Sequence, residues 1–445
     1  MAAARRPGSR AEAPAQPRRT RRSIPAWRAA LLVILLANGL GGCRVVPPPL
    51  RGHQAAELRG VVFMAMGIPS DETIDTALTE ALKDRLNMTL REFHLIHPEA
   101  RVQLQLYPEE RLPWEVWLRS AAGLGPDLLF VNDSTAVDLR RMGLTQAVRM
   151  PADLVQRLDQ AAVRRFQSPT GEVTSLPVLL LPQLACFDQR RLARPPTDLD
   201  TLLRLAEGGL RVGLPLDGFN LAWTFGSLGV APSVEELFAG QPATPRRRQA
   251  LGRWLAWLKQ ADQVPELSFQ LSQSQLVDDL SHGRLDWTSC RSTHLARLRE
   301  ALGPHLGVAS LPAGPGGLPT PLSRQRVLVF GRNSSPSQRQ VVQAFARFII
   351  TPLTQRNLAL QRDEVVPVIQ SLRMPQGRKA TLRLLTIAEA QGRKTRQSSQ
   401  AMFPNGDQQG EAMGRVVSRH LYGDLDEAGA IDGLVRTIQS TGNHQ

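Results

Sequence analysis

Apolar and polar residues fall in short blocks along this chain, and the blocks switch between two periods. Residues 60–66 (GVVFMAM) form a nearly continuous apolar run, the pattern of a buried strand, and Gly67, Pro69, Ser70 and Asp71 follow as turn and helix-start residues. Residues 74–94 carry apolar positions at helical spacing and end before Pro98, after which 101–107 (RVQLQLY) alternates as a half-buried strand does. The pattern then repeats, with a helix over 114–122, breakers at Gly123, Gly125 and Pro126, and a fully buried strand over 128–131. Strands alternating with helices predict a parallel sheet covered on both faces. Asn132, Asp133 and Ser134 come directly after the third strand and lead into a helix that runs to Arg141, with Gly143 past its end. In open α/β sheets the ligand crevice lies at such carboxyl ends of strands.

A second block of the same kind begins near Leu184 and runs to about Pro319. It holds predicted strands at 211–214 and 285–289, a helix containing Trp223, and an amphipathic helix over 245–261 with Thr244 placed to cap it and proline at its first position. The chain then returns to a strand at 326–330 and two helices at 337–350 and 354–362. With 445 residues there is room for two cores.

The amino terminus has a different character. Arg18, Arg19, Arg21, Arg22 and Arg28 precede the apolar run 29–37, and Leu40, Gly41, Gly42 and Cys43 follow it. That run is too short to span a bilayer and matches the apolar core of a secretory signal. Leu-Gly-Gly-Cys resembles a bacterial lipobox, which implies cleavage after residue 42 and lipid attachment at Cys43. The segment 20–24 (TRRSI) also partly resembles a twin-arginine export signal, so the export route stays open. Residues 43–57 contain Pro47, Pro48 and Pro49 and read as an extended spacer.

Removing residues 1–42 takes away eight basic side chains and one acidic one, so the net charge of +14 falls to +7. That charge is spread thinly, and aromatics make up only 5% of the chain, which argues against a nucleic-acid surface. With Cys43 assigned to lipid, Cys186 and Cys290 remain, either as a disulfide or as two separate buried thiols. There is no G-x-S-x-G elbow, no phosphate-binding G-x-x-x-x-G-K-[ST] loop and no H-E-x-x-H helix. Ser227 lies between glycines at the wrong spacing, and His94 with His97 lacks a third metal ligand. No catalytic, metal or cofactor site is expected.

Residues 121–130 (AAGLGPDLLF) resemble the A-x-G-x-G-P-D-hydrophobic signature of family 1 extracellular solute-binding proteins, the maltose-binding-protein-like group. Several further segments are similar to that family's landmarks in the same order: Arg141 to Leu144, Gly171 to Pro177, Gln189 to Pro196, Ser281 to Arg284, Leu306 to Pro312 and Val342 to Leu360. The resemblance spans most of the chain between Gly60 and Ser371. It implies an α/β clamshell of two lobes, each a mostly parallel sheet flanked by helices and each assembled from separate segments. Residues 58–182 and 320–372 would form the first lobe, 183–319 and a helical 373–445 the second. Cys186 and Cys290 would lie on neighbouring strands of the second lobe.

Carried over residue by residue, the likeness points to Met64, Met66, Asn132, Asp133, Gln183, Trp223, Arg291 and Ser292 as ligand-binding positions. Each has a plain structural alternative: core packing for the methionines and Trp223, a helix cap for Asp133, a surface charge for Arg291. Family members that bind sugars usually offer several aromatic rings, whereas this chain has only two Tyr, and Thr293 stands near an expected tryptophan. A sugar, glycoside or polyol, or a carboxylate-bearing ligand paired with Arg291, all fit. The implied role is that of a monomeric lipoprotein, held by Cys43 on the outer face of a membrane, that hands a small molecule to ABC permease subunits. A ligand- or partner-binding lipoprotein for sensing or envelope assembly is the other reading.

Overall fold

The computed structural model describes residues 58–68, 88–361, 365–372, 385, 402–403 and 407–440. Cys43, the expected signal 1–42, the spacer 43–57 and the stretch 373–384 lie outside the described residues, as does most of the helix expected over 74–94. The described strands are β1 (Gly60–Ile68), β2 (Ala100–Pro108), β3 (Leu128–Asn132), β4 (Ser175–Leu181), β5 (Gln183–Asp188) and β6 (Val212–Pro215). They continue with β7 (Leu267–Gln270), β8 (Trp287–Arg291), β9 (Leu306–Ala309), β10 (Arg324–Phe330) and β11 (Val366–Pro367).

These strands form two sheets, ordered β11-β4-β10-β3-β1-β2 and β7-β6-β8-β5-β9. In β2 the residues Val102, Leu104 and Leu106 pack against the core while Arg101, Gln103 and Gln105 are exposed, the outcome of period-two patterning on a sheet edge. The apolar residues Leu128 to Val131 of β3 are all buried, because β3 lies inside the sheet with both faces covered.

Parallel pairing is confined to part of each sheet. Strands β1, β2 and β3 run parallel, as do β6, β7 and β8. Strand β10 runs antiparallel to both β3 and β4, and β5 antiparallel to both β8 and β9. The strands that enter from the other lobe are β5, which begins at Gln183 just after β4 ends at Leu181 in the first sheet, and β10, to which the chain returns from β9. A strand that enters from the neighbouring lobe runs against the strands whose carboxyl ends face that lobe, whereas a parallel partner needs a crossover within its own lobe.

Apolar packing is continuous through the first passage. Leu176 to Leu181 share one buried cluster with Leu184, Cys186, Leu276, Cys290 and Leu295. The other face of the second sheet packs on a separate cluster that includes Leu214, Trp254, Trp287, Met413, Val417 and Leu434, so helices Asp407–Leu421 and Glu427–Gln439 complete the second lobe. Helix Pro245–Asp262 begins where sequence placed it, but Thr244 makes no side-chain cap, and Pro245 at the first turn removes a donor that would otherwise need one.

Strand β8 starts two residues later than its apolar pattern suggests. Asp286 is drawn out of the expected strand to accept from the Arg211 amide at 3.0 Å and its guanidinium at 2.6 Å. Cys186 and Cys290 sit diagonally on the adjacent strands β5 and β8, with Cα atoms 5.8 Å apart, and form a disulfide. The bond fixes the strand that ends in Arg291.

Candidate functional site

The carboxyl ends of β1, β2 and β3 are tied together by one buried ion pair. Glu109, immediately after β2, accepts from Arg326 Nη1 at 3.0 Å and from the Asn132 amide at 2.7 Å. Arg326, on β10, also donates to Asn132 Oδ1 at 2.9 Å, to the Gly67 carbonyl at 2.7 Å and to the Phe130 carbonyl at 3.1 Å. A Cβ at Gly67 would meet the Glu109 carboxylate and push it out of this arrangement. With its charge matched and four acceptors in reach, Arg326 serves as a bracket for the first lobe's rim, and the Asn132 side chain belongs to that bracket.

Asp133 is the next residue and is only 2% exposed. Its Oδ2 accepts from Arg165 Nη1 at 2.8 Å, while Oδ1 is buried without a hydrogen-bond partner. It caps no helix: Asn132 holds the cap position, and no side-chain cap bond forms there. Arg165 also reaches the Phe403 carbonyl at 3.3 Å, linking the first lobe to the segment ahead of the C-terminal helices. Phe403 is the single non-glycine with positive φ (56°) among the described residues, and its ring packs on Phe219 and Phe238 of the second lobe.

The second lobe contributes the facing wall. After β6, Asp217 accepts from the amide of Asn220 at 2.9 Å, starting the short helix Gly218–Leu221. Arg291, the last residue of β8, donates to Asn220 Oδ1 and lies 5.0 Å from the Phe219 ring centroid. Arg324, at the start of β10, approaches the same ring at 4.1 Å. Burial lowers the Arg291 pKa to about 9, helped by the Arg324 charge and opposed by Asp217 and Asp133. Burial likewise lowers that of Arg324 against the pull of Asp133 and Asp217. Both arginines thus sense carboxylates from both lobes. The Arg291 amide donates to His294 Nδ1 at 3.2 Å, and burial together with the Arg291 charge lowers the His294 pKa to about 4, so this imidazole is neutral near pH 7.

Gln183, at the crossing, donates to the Asn220 carbonyl at 2.7 Å and keeps Oε1 buried and unpartnered, and Ser292 Oγ is buried without a partner as well. Asn132, Asp133, Gln183, Arg291 and Ser292 therefore belong to the facing walls or to the crossing between them. Met64 and Met66 are in the first lobe's core, and Trp223 is 0% exposed within the second lobe's core. Trp223 offers no ring face to a ligand: it opens the short helix Trp223–Ser227, all but one of whose residues are buried. Arg165, Asp217, Phe219, Arg324 and Glu109 were not singled out from sequence. Asp217 and Phe219 come just past the end of β6 as Asp133 comes just past the end of β3, so the strand-end rule would have found them.

Neither a protein-family model nor a curated protein sequence matches the chain. Solved structures do match in fold. The cyclic alpha-maltosyl-1,6-maltose binding protein from Arthrobacter globiformis aligns with a TM-score of 0.64 at 13% identity, over 86% of this chain and 98% of its own. Maltose-bound MalE3 of T. maritima aligns at 0.60 with 16% identity, over 86% and 100%. An ABC transporter solute-binding protein from Thermotoga lettingae, bound with alpha-D-tagatose, aligns at 0.58 with 14% identity, over 85% and 99%. The fold is the two-lobed architecture of these binding proteins.

Proposed function

We propose that this chain is the extracytoplasmic solute-binding component of an ABC importer, exported and anchored through lipid on Cys43, that binds a sugar-, glycoside- or polyol-like solute as a monomer. One observation carries the reading: unpartnered buried acceptors and a buried cation come from both lobes and converge beside the crossing strands. Asp133 Oδ1 comes from the first lobe, Gln183 Oε1 from the crossing and Arg291 from the second. A solute touching both walls favours the closed arrangement by its differential contacts, and a permease can read that closure. The three similar proteins, whose names specify sugars or sugar oligomers, support a hydroxylated ligand class. The experiment is a thermal-shift screen of residues 43–445 against sugars, glycosides, polyols, amino acids and anions. A ligand bound only by the folded state raises the melting temperature, and at a hundredfold excess over Kd it adds about 2.7 kcal/mol. Loss of the shift in Asp133→Ala would place binding in the cleft; an unchanged shift would place it elsewhere.

A further inference from the structure

The arginines of the strand-end cluster differ in how their charge is met. Arg165 is matched by Asp133 and Arg326 by Glu109, each with an ion pair of 3.0 Å or less. Arg291 is only 8% exposed, and its guanidinium reaches two neutral acceptors, Asn220 Oδ1 and the Leu322 carbonyl at 3.5 Å. Among the described residues no carboxylate forms an ion pair with it. A second cation, Arg324, stands over the same Phe219 ring. Asp217 and Asp133 act on Arg291 without an ion pair, and burying a guanidinium whose direct partners are neutral is costly unless something else meets it.

We propose that the ligand of this cleft carries an anionic group as well as hydroxyls, as a sugar acid or a carboxylated glycoside does, and that Arg291 receives the anion. This rests on the solute-binding reading above and narrows it. The hydroxyls follow from the remaining orphans. Gln183 Oε1 and Asp133 Oδ1 are acceptors that need O–H donors. Because the charge of Asp133 is already answered by Arg165, its free oxygen does not call for an ammonium. Stacking contributes little: Phe219 is taken by the two arginines and Trp223 by the core. Selection therefore falls to a charge-assisted bond at Arg291, with its fork suited to a carboxylate, and to hydrogen bonds from the hydroxyls.

The test is isothermal titration of residues 43–445 with matched neutral and acidic probes: methyl α-D-glucoside against methyl α-D-glucuronide, glucose against gluconate, and galactose against galacturonate. At least one acid is expected to bind tenfold or more tightly than its neutral partner. Arg291→Gln is expected to bring the two members of that pair within threefold, and Arg291→Lys to retain part of the preference. Neutral members binding as tightly as their acids would overturn the proposal while leaving solute binding intact, and so would an acid preference that survives in Arg291→Gln. Because the matched comparison is made on the unaltered chain, it decides even if the glutamine variant does not fold. If no probe binds, and the broader screen is also silent, the solute-binding reading fails and the proposal with it.

Discussion

Removing the Glu109 carboxylate tests whether the first lobe's rim depends on the bracket described above. In Glu109→Ala, Arg326 loses its only ion-pair partner among the described residues, at 3.0 Å, and the Asn132 amide loses an acceptor at 2.7 Å. The two side chains of the pair are 9% and 7% exposed, so water cannot readily replace the carboxylate. Stranding one member of a buried pair costs about 3–5 kcal/mol, whereas an exposed pair is worth under about 1 kcal/mol. Arg326 retains Asn132 Oδ1 and two carbonyls as acceptors, which places the expected loss near 3 kcal/mol, the lower end of that range. Urea unfolding followed by tryptophan fluorescence measures it, and Glu109→Gln, which keeps an acceptor but not the charge, should fall between. The double variant Glu109→Leu/Arg326→Leu should recover part of the loss, since no charge is left buried. A loss below about 1 kcal/mol in Glu109→Ala would refute the argument that this pair is shielded from water.

Reducing the Cys186–Cys290 disulfide opens a crosslink between residues 104 apart, and the chain-entropy model gives a loss of about 4.7 kcal/mol for a loop of that order. Unfolding with and without reductant checks it, and identical curves would contradict a formed bond. His294 has its pKa lowered to about 4 from 6.5, so the unfolded chain binds the extra proton first as pH falls. Its contribution to stability is therefore present above about pH 6.5 and lost progressively towards pH 4, about 3 kcal/mol in all; His294→Gln should flatten that part of the stability profile. Trp223→Ala should cost about 3–5 kcal/mol of stability as a cavity variant, and a variant that melted as the parent does while losing ligand affinity would return Trp223 to the cleft.

The strands β1, β2, β3, β6, β8 and β10 were legible because each keeps one period over its length, as the alternation in β2 and the apolar run in β3 illustrate, whereas β4, β5, β7 and β11 were not marked out as strands. The antiparallel pairing of β10 was not, since direction within a sheet depends on where the chain re-enters a lobe and leaves no mark on local periodicity. Asp133 and Arg291 were identifiable as polar residues ending apolar strands. Arg165 was not, because it reaches Asp133 across 32 positions of sequence and sits among other arginines that resemble a solvated face. Trp223 shows the reverse limit: a tryptophan beside a strand end fits a stacking platform and a core residue equally well in sequence, and only its burial decides.

The most direct measurement is a crystal structure of residues 43–445 with the tightest ligand found by titration. Ligand density is expected between Asp133 and Arg291, in contact with both lobes and with its anionic group on the Arg291 guanidinium. Density confined to one lobe, or seated on an outer face away from these residues, would contradict it.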